Sequence, residues 1–198
     1  MRCVGVLDRM PDFFSYPEPV MKAFAPSVLA LSVLAAPLAA RAQSSTDLAV
    51  PAVRAVWEPI AHYIAQSAED MPEEKYSFKP TPEVRSFGEL IGHVAGSQYM
   101  FCAAAMGDSA RKEDDIEKSM TTKADLVAAI KASTAYCAKA YAQADAATGG
   151  ELTMFGEKHN RLWALVTNTA HDDEHYGNIV TYLRINGIVP PSSRPAQP

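Results

Sequence analysis

Apolar residues recur at every third or fourth position in four separate stretches of the chain, and no stretch of comparable length alternates apolar with polar residues. The stretches cover approximately residues 47–68, 87–106, 122–144 and 160–186. Spacings of three and four place side chains on one face of a helix, whereas a half-buried strand needs a spacing of two. The pattern therefore predicts four helices and no strands, which is an all-α four-helix bundle.

Short sequence signals predict where these helices begin and end. Ser86 and Glu89 have the spacing of a capping box at the start of the second helix, and Thr122 with Asp125 opens the third. Gly107 is a typical C-terminal cap, because glycine readily adopts the left-handed conformation that ends many helices.

The segments between the helices are predicted to be connections. Three prolines interrupt residues 71–85. Residues 107–121 are polar and charged, and they form a crossover that is long enough to traverse the bundle. Residues 151–158 are predicted to be a loop before the last helix.

An apolar run precedes the first predicted helix. It extends from Ala23 to Ala40, follows Met21-Lys22 and leads into the A-x-A cleavage pattern of Ala40-Arg41-Ala42. These features are typical of a secretory signal peptide. We therefore expect residues 1–42 to be an upstream extension plus a signal peptide, and residues 43–198 to be the exported, periplasmic domain.

The alternative for this apolar run is a membrane anchor, because a spanning helix needs about 20 apolar residues. Pro26, Pro37 and the cleavage pattern favour the signal peptide. No other segment is long and apolar enough to cross a bilayer, so no membrane association is expected after cleavage.

The charge of the chain argues against a nucleic-acid partner. The formal net charge is −5 and the isoelectric point is near 5.5. Sequence-independent binding to nucleic acid needs clustered lysine and arginine residues, and the sequence has no such cluster.

Two cysteines remain after removal of the predicted leader. Cys102 and Cys137 lie on patterned helix faces, where a cysteine behaves as a small buried hydrophobic residue. Export would also permit a disulfide, provided that the two Cα atoms lie within about 7 Å. The sequence favours buried thiols and leaves the disulfide open.

Three histidines lie on helix faces that are predicted to point inward. His171 and His175 are one helical turn apart on the fourth helix, and His93 borders the apolar face of the second. Three imidazoles buried without a shared partner would leave polar nitrogens unsatisfied. A common metal removes that cost, and three histidines with an open fourth position are typical of catalytic zinc. We therefore predict metal ligation by His93, His171 and His175.

Other interpretations of the histidine motif fit less well. Residues 171–175 match the H-x-x-E-H metalloprotease pattern, but that site needs a downstream acid and no Asp or Glu follows His175. A c-type haem is excluded, since the chain has no C-x-x-C-H. Glu89, Asp172 and Glu174 are candidate partners of the ligands, although exposure to solvent is the simpler expectation for each. His62 and His159 are expected at the surface.

Two segments, Ser86–Ala95 and His171–Arg184 with the following Gly187–Pro191, resemble the signature regions of the DinB-like superfamily. This is the metal-binding helical family, not the DNA polymerase of the same name. Met71–Pro80 is similar to the inter-helix loop of that family.

The resemblance implies an up-down-down-up bundle with a long crossover between helices two and three, often assembled as a homodimer. It implies that His93, His171 and His175 bind zinc or nickel. Related proteins are thiol-dependent transferases or isomerases that use thiols such as bacillithiol or mycothiol.

Three hypotheses for function follow. The first is an exported metal-binding protein with an open coordination position for a small-molecule substrate, acting as a metal-dependent hydrolase or thiol-dependent transferase. The second is a non-enzymatic helical bundle that is stabilised by metal or senses it. The third is a helical interaction module with the histidines in its core. The residues alone do not decide whether the chain is an enzyme.

Overall fold

The computed structural model describes residues 47–109 and 111–195. The predicted upstream extension and signal peptide lie outside these residues. Within the described part of the chain, no helix combines the length and the apolar character needed to cross a membrane.

The described residues form a mostly helical fold with five α-helices. In chain order they are α1 (Ala49–Asp70), α2 (Phe87–Met106), α3 (Asp114–Ser119), α4 (Lys123–Ala140) and α5 (Arg161–Ile185). The four long helices correspond to the four predicted stretches. The short α3 lies inside the predicted crossover, where the sequence analysis had identified no element.

α2 lies at the centre of the packing and contacts α3, α4 and α5, while α1 packs against α4 and α5. The buried apolar side chains form two clusters. One cluster includes Ile64, Ile91, Val94, Leu126, Ile130, Ile179 and Leu183. The other includes Val50, Trp57, Cys102, Cys137, Tyr141 and Leu165.

The predicted caps of α2 and α4 are present. The Ser86 hydroxyl accepts a hydrogen bond from the Glu89 backbone N–H, and the Glu89 carboxylate accepts one from the Ser86 N–H at 2.6 Å. Thr122 accepts a hydrogen bond from the Asp125 N–H in the same way. Gly107 ends α2 with a φ of 74°. These short-range signals therefore predicted correctly where α2 begins and ends and where α4 begins.

The N-terminus of α1 is capped by a residue that is distant in sequence. The Asp145 carboxylate accepts hydrogen bonds from the backbone N–H groups of Leu48, Ala49 and Val50, each at 2.8 Å. These backbone donors lower the pKa of Asp145 below its ordinary value. The contact satisfies N–H groups that have no partner within the helix.

Two predictions for the region after α4 were wrong. α4 ends at Ala140 rather than near residue 144. Residues 151–160 form a hairpin, not a loop: β1 (Glu151–Met154) pairs antiparallel with β2 (Glu157–Asn160). The two turn residues, Phe155 and Gly156, have φ values of 53° and 84°, which is the backbone of a tight hairpin turn. β1 alternates polar and apolar residues over only four positions, with Leu152 and Met154 partly buried. β2 is mostly exposed and has no apolar residue, so the pattern is too short to predict a hairpin.

A disulfide joins Cys102 of α2 to Cys137 of α4, with the Cα atoms 5.3 Å apart. Both residues are fully buried. The disulfide that the sequence left open is therefore present, and the favoured interpretation of separate thiols was wrong. The helix pattern placed each on an inner face but could not show that the two faces meet.

We expect the disulfide to stabilise the fold by about 2–4 kcal/mol, because it restricts the unfolded chain. Urea unfolding of wild type and of the Cys102→Ala, Cys137→Ala double variant measures the difference. Each single variant should lose nearly as much as the double, since either substitution removes the bond. If the stability losses of the two single variants instead summed to the loss of the double variant, the two cysteines would act independently and a stabilising bond would be contradicted.

Candidate metal centre

His93, His171 and His175 meet where α2 packs against α5. The Nε2 atom of His93 lies 3.2 Å from the Nε2 atoms of both His171 and His175, and those two are 3.1 Å apart. The three rings are inclined to one another rather than stacked in parallel. The structure thus brings together all three histidines that the sequence singled out.

Three facing Nε2 atoms cannot satisfy one another. A neutral imidazole nitrogen carries either a proton or a lone pair, so an atom that donates a hydrogen bond cannot also accept one. Not all three contacts between the Nε2 atoms can therefore be good hydrogen bonds. A shared cation would engage all three lone pairs at once.

The spacing of the nitrogens fits such a cation. Two imidazole nitrogens bound to one zinc ion at about 2.1 Å lie about 3.0 Å apart at a right angle and about 3.4 Å apart at the tetrahedral angle. The observed separations of 3.1 to 3.2 Å lie inside this range. The arrangement can therefore hold one transition-metal ion.

Burial keeps the three imidazoles in the form that binds metal. Loss of solvation lowers the pKa of His171 to about 3 and that of His175 to about 4. Burial also lowers the pKa of His93. All three rings are therefore neutral near pH 7, and a neutral imidazole is the metal ligand.

Two of the rings have a polar neighbour at the nitrogen that points away from the triad. The Nδ1 atom of His93 lies 3.5 Å from a carboxylate oxygen of Glu117. The Nδ1 atom of His175 lies 3.4 Å from the Asn178 amide. If the Asn178 amide were reversed, its oxygen would accept a hydrogen bond from His175 Nδ1–H, since the orientation of an amide is assigned from hydrogen bonding alone. Hydrogen bonds at these positions orient metal-binding histidines. Glu117 lies close enough to form one after a small movement, although His93 Nδ1 has no hydrogen-bond partner among the described residues.

Two carboxylates beside the triad were missed by the sequence analysis. Glu113 precedes α3 and Glu117 lies within it, in the segment predicted to be a polar crossover. The Glu113 Oε1 atom lies 3.6 Å from His93 Nε2 and 3.7 Å from His171 Nε2. Glu117 accepts a hydrogen bond from Arg85 Nε at 2.9 Å. These side chains add negative charge next to three neutral rings.

Two glycines on α2 explain how this segment comes so close. A Cβ atom at Gly96 would lie 1.8 Å from the Glu113 carbonyl oxygen, and one at Gly92 would lie 2.9 Å from the Glu117 Cα. Any larger residue would push the backbone away. Glycines one turn apart beside His93 were the signal in the sequence that could have indicated a close neighbour on this face.

Among the candidate partners of the ligands, Asp172 is placed differently from the expectation. It is fully buried and accepts hydrogen bonds from Trp57 Nε1 at 3.0 Å and Gln98 Nε2 at 2.9 Å. Burial raises the pKa of this carboxyl to about 7. Exposure to solvent was thus the wrong expectation for Asp172. Glu174 is exposed as expected, and Glu89 serves the cap of α2.

The remaining histidines lie outside the triad. His62 is exposed, as expected. His159 lies on β2, where its ring is partly buried against Trp163 with a centroid distance of 3.8 Å. Neither belongs to the group of metal-compatible side chains found among the described residues.

The family model described as the DinB superfamily matches residues 57–179, which is more than half of the chain. The chain belongs to the DinB superfamily. The match includes all three histidines of the triad as well as Glu113 and Glu117. A search of curated proteins finds no match.

Solved structures of other proteins share the fold of this DinB superfamily chain. A DinB-like protein from Bacillus subtilis is 23% identical, with a TM-score of 0.57, and the alignment covers 69% of this chain and 92% of that one. A DinB-like protein from Bacillus cereus is 14% identical, with a TM-score of 0.59 and coverages of 71% and 95%. A mutant of a mycothiol-dependent maleylpyruvate isomerase is 15% identical, with a TM-score of 0.54 and coverages of 69% and 67%.

A cavity of about 650 Å³ adjoins the triad of this DinB superfamily protein. Its polar lining includes Arg85, Glu117, His175, Asn178, Thr181 and Tyr182. The Tyr182 hydroxyl donates a hydrogen bond to the Arg85 carbonyl oxygen at 2.6 Å, which fixes the backbone of that wall. The volume is typical of sites for small molecules, and one histidine of the triad forms part of the wall.

Proposed function

We propose that this protein binds one divalent transition metal, zinc or nickel, through His93, His171 and His175, with at least one coordination position left for a small-molecule substrate. The observation that carries the proposal is the convergence of the three Nε2 atoms to within 3.2 Å of one another. Imidazole donors suit zinc and nickel, whereas calcium and magnesium prefer oxygen ligands.

The chemistry follows from the donor set and the adjoining cavity. A bound metal would act as a Lewis acid or lower the pKa of a coordinated water or thiol. The candidate reactions are therefore a metal-dependent hydrolysis and a thiol-dependent transfer. The thiol-dependent reaction is supported by the similarity of fold to the mycothiol-dependent isomerase. The cavity beside His175 would admit the substrate.

The alternative is a non-enzymatic bundle that uses the metal for stability or for sensing. It is supported by the position of the triad, which links α2 to α5 directly. A metal at such a junction would stabilise the folded state, and its effect would grow with the logarithm of its affinity.

The remaining expectations form part of the same proposal. We infer that residues 43–198 are exported to the periplasm after removal of residues 1–42, form a homodimer, and bind neither nucleic acid nor membrane. A buried disulfide is consistent with an oxidising compartment. We further propose an up-down-down-up four-helix bundle of α1, α2, α4 and α5, which is supported by the mutual packing of these helices.

Elemental analysis and ligand binding test the proposal on untagged protein. We expect about one equivalent of metal per chain, because the triad offers one set of three converging donors. Azide added to the cobalt-loaded protein should shift its visible absorption, since an open position accepts an added anion. Protein without bound metal, or cobalt protein that does not respond to azide, would contradict the proposal.

Turnover separates the enzyme from the alternative. The probe reaction is the conjugation of cysteine to 1-chloro-2,4-dinitrobenzene, with and without chelator. Metal-dependent turnover supports the transferase. Absence of turnover, combined with a melting temperature that falls on chelation, supports the non-enzymatic bundle over the transferase.

A further inference from the structure

We propose that Glu113 is a fourth protein ligand of the metal, so that the site consists of three histidines and one carboxylate. The inference rests on the metal site proposed above and goes beyond it by assigning a donor outside the histidine motif. It also gives a role to the segment that crosses from α2 to α4.

The position of the Glu113 carboxylate is the first support. Its Oε1 atom lies 3.6 Å from His93 Nε2 and 3.7 Å from His171 Nε2. Two donors of one zinc ion are about 3.0 to 3.4 Å apart, depending on the angle at the metal. The Oε1 atom is therefore within a few tenths of an ångström of ligand spacing to two of the histidines. It makes no comparable contact with His175, so ligation also requires the carboxylate to move toward that ring.

A hydrogen bond holds this carboxylate beside the triad. Ser97 lies one helical turn after His93, and its hydroxyl donates to Glu113 Oε1 at 2.7 Å. Ser97 itself is fully buried. In protein metal sites, the carboxylates that bind the metal are usually held in place by hydrogen bonds of their own.

The charge balance around Glu113 points the same way. Among the described residues, the ion-pair contacts of Glu113 are to His93 and His171. Within the part of the chain that the structure describes, no lysine or arginine lies within ion-pair distance of this carboxylate. A metal ion between the carboxylate and the two rings would supply the positive charge that this arrangement lacks.

The backbone of the crossover is fixed at the same point. The Glu113 carbonyl lies where a Cβ atom of residue 96 would be, so Gly96 is required for this approach. The backbone of Glu113 is therefore held by packing against α2, and its position does not depend on the conformation of the side chain alone. Rigid support of this kind is needed for precise ligand geometry.

Glu117 provides a matched comparison four residues away. One of its oxygens accepts the hydrogen bond from Arg85, and the other lies 3.5 Å from His93 Nδ1, the ring nitrogen that points away from the triad. It can orient His93 but does not face the converging Nε2 atoms. Glu117→Gln therefore removes a carboxylate of the same segment without removing the proposed ligand.

A fourth protein ligand changes what the metal can do. A tetrahedral ion with four protein donors has no position left for substrate. The metal then needs a coordination number of five or six if a position is to remain open for substrate.

The test measures zinc affinity by competition with a chromophoric chelator, together with the visible spectrum of the cobalt-loaded protein. We expect Glu113→Gln to weaken zinc binding by at least about 100-fold and to alter the cobalt spectrum. Glu117→Gln should weaken binding by about 10-fold, as for an orienting residue, and keep the spectrum. Glu151→Gln, on the exposed hairpin, should match wild type in both measurements.

The outcomes distinguish this inference from the function on which it rests. Wild-type affinity in Glu113→Gln, or weaker binding with an unchanged cobalt spectrum, would overturn the ligand assignment and leave the histidine triad in place. Wild-type protein that binds no metal would overturn the proposed function itself. A changed spectrum in Glu113→Gln but not in Glu117→Gln supports Glu113 as a ligand.

Discussion

Replacement of His93 and His171 by alanine should abolish stoichiometric metal binding. The double variant keeps only His175 of the three converging histidines, and one imidazole, even beside the Glu113 carboxylate, does not hold a zinc ion against solvent and chelator. We expect about one equivalent of metal in wild type and no stoichiometric metal in the variant. Elemental analysis of dialysed, untagged protein provides the measurement.

The matched control replaces the two histidines outside the triad, His62 and His159. This double variant removes the same number of imidazoles and should retain the metal content of wild type, because neither residue belongs to the triad. Added metal should raise the melting temperature of the control but not that of the triad variant. Equal metal content in wild type and the triad variant would refute the site.

The triad could be predicted because its geometry follows from helix periodicity. His171 and His175 are one turn apart, so any helix over this segment presents them on one face. His93 could be added because it borders an apolar face, and inward faces of packed helices meet. Glu113 could not be added in this way, since its position depends on where the crossover lies on α2. That path is determined by the close approach at Gly96, which is a tertiary contact.

The same distinction applies to the fold. The caps of α2 and α4 depend on residues three positions apart, and the sequence predicted both correctly. The cap of α1 depends on Asp145, about a hundred residues away in the chain, and no local pattern indicates it. The hairpin of residues 151–160 was missed for another reason: β1 alternates polar and apolar residues over only four positions, and β2 is mostly exposed and has no apolar residue.

Asp172 could have been recognised as a core residue. Buried positions on α5 recur with alternating spacings of three and four, and Asp172 occupies one of them. The series is Leu165, Thr169, Asp172, Tyr176, Ile179 and Leu183. Adjacent residues on a helix point about 100° apart, so Asp172 cannot share the direction of His171. The charge of the residue suggested solvent, but its position in the series predicted the core.

The buried carboxylate of Asp172 joins several helices at one point. Its Oδ2 atom accepts hydrogen bonds from Trp57 on α1 and Gln98 on α2. The Gln98 side-chain oxygen in turn accepts a hydrogen bond from Ser133 on α4 at 2.7 Å. The network therefore connects α1, α2, α4 and α5, including both helices that carry the triad.

We expect Asp172→Ala to destabilise the apoprotein by about 3–5 kcal/mol. The substitution leaves the buried donors of Trp57 and Gln98 without their acceptor, at about 1–3 kcal/mol each, and opens a small cavity. Urea unfolding in the presence of chelator measures the loss without a contribution from metal. The control, Asp173→Ala, changes the exposed neighbour on the same helix and should stay within about 0.5 kcal/mol of wild type.

Asp172→Asn separates the hydrogen bonds from the charge. Asparagine keeps an oxygen where Oδ2 accepts its hydrogen bonds, and it removes a carboxylate whose burial raises its pKa to about 7. Its amide nitrogen would replace Oδ1, which has no hydrogen-bond partner among the described residues. We therefore expect Asp172→Asn to lose much less stability than Asp172→Ala. Equal losses in these two variants would show that the network depends on the charge, whereas equal losses in Asp172→Ala and Asp173→Ala would refute its structural role.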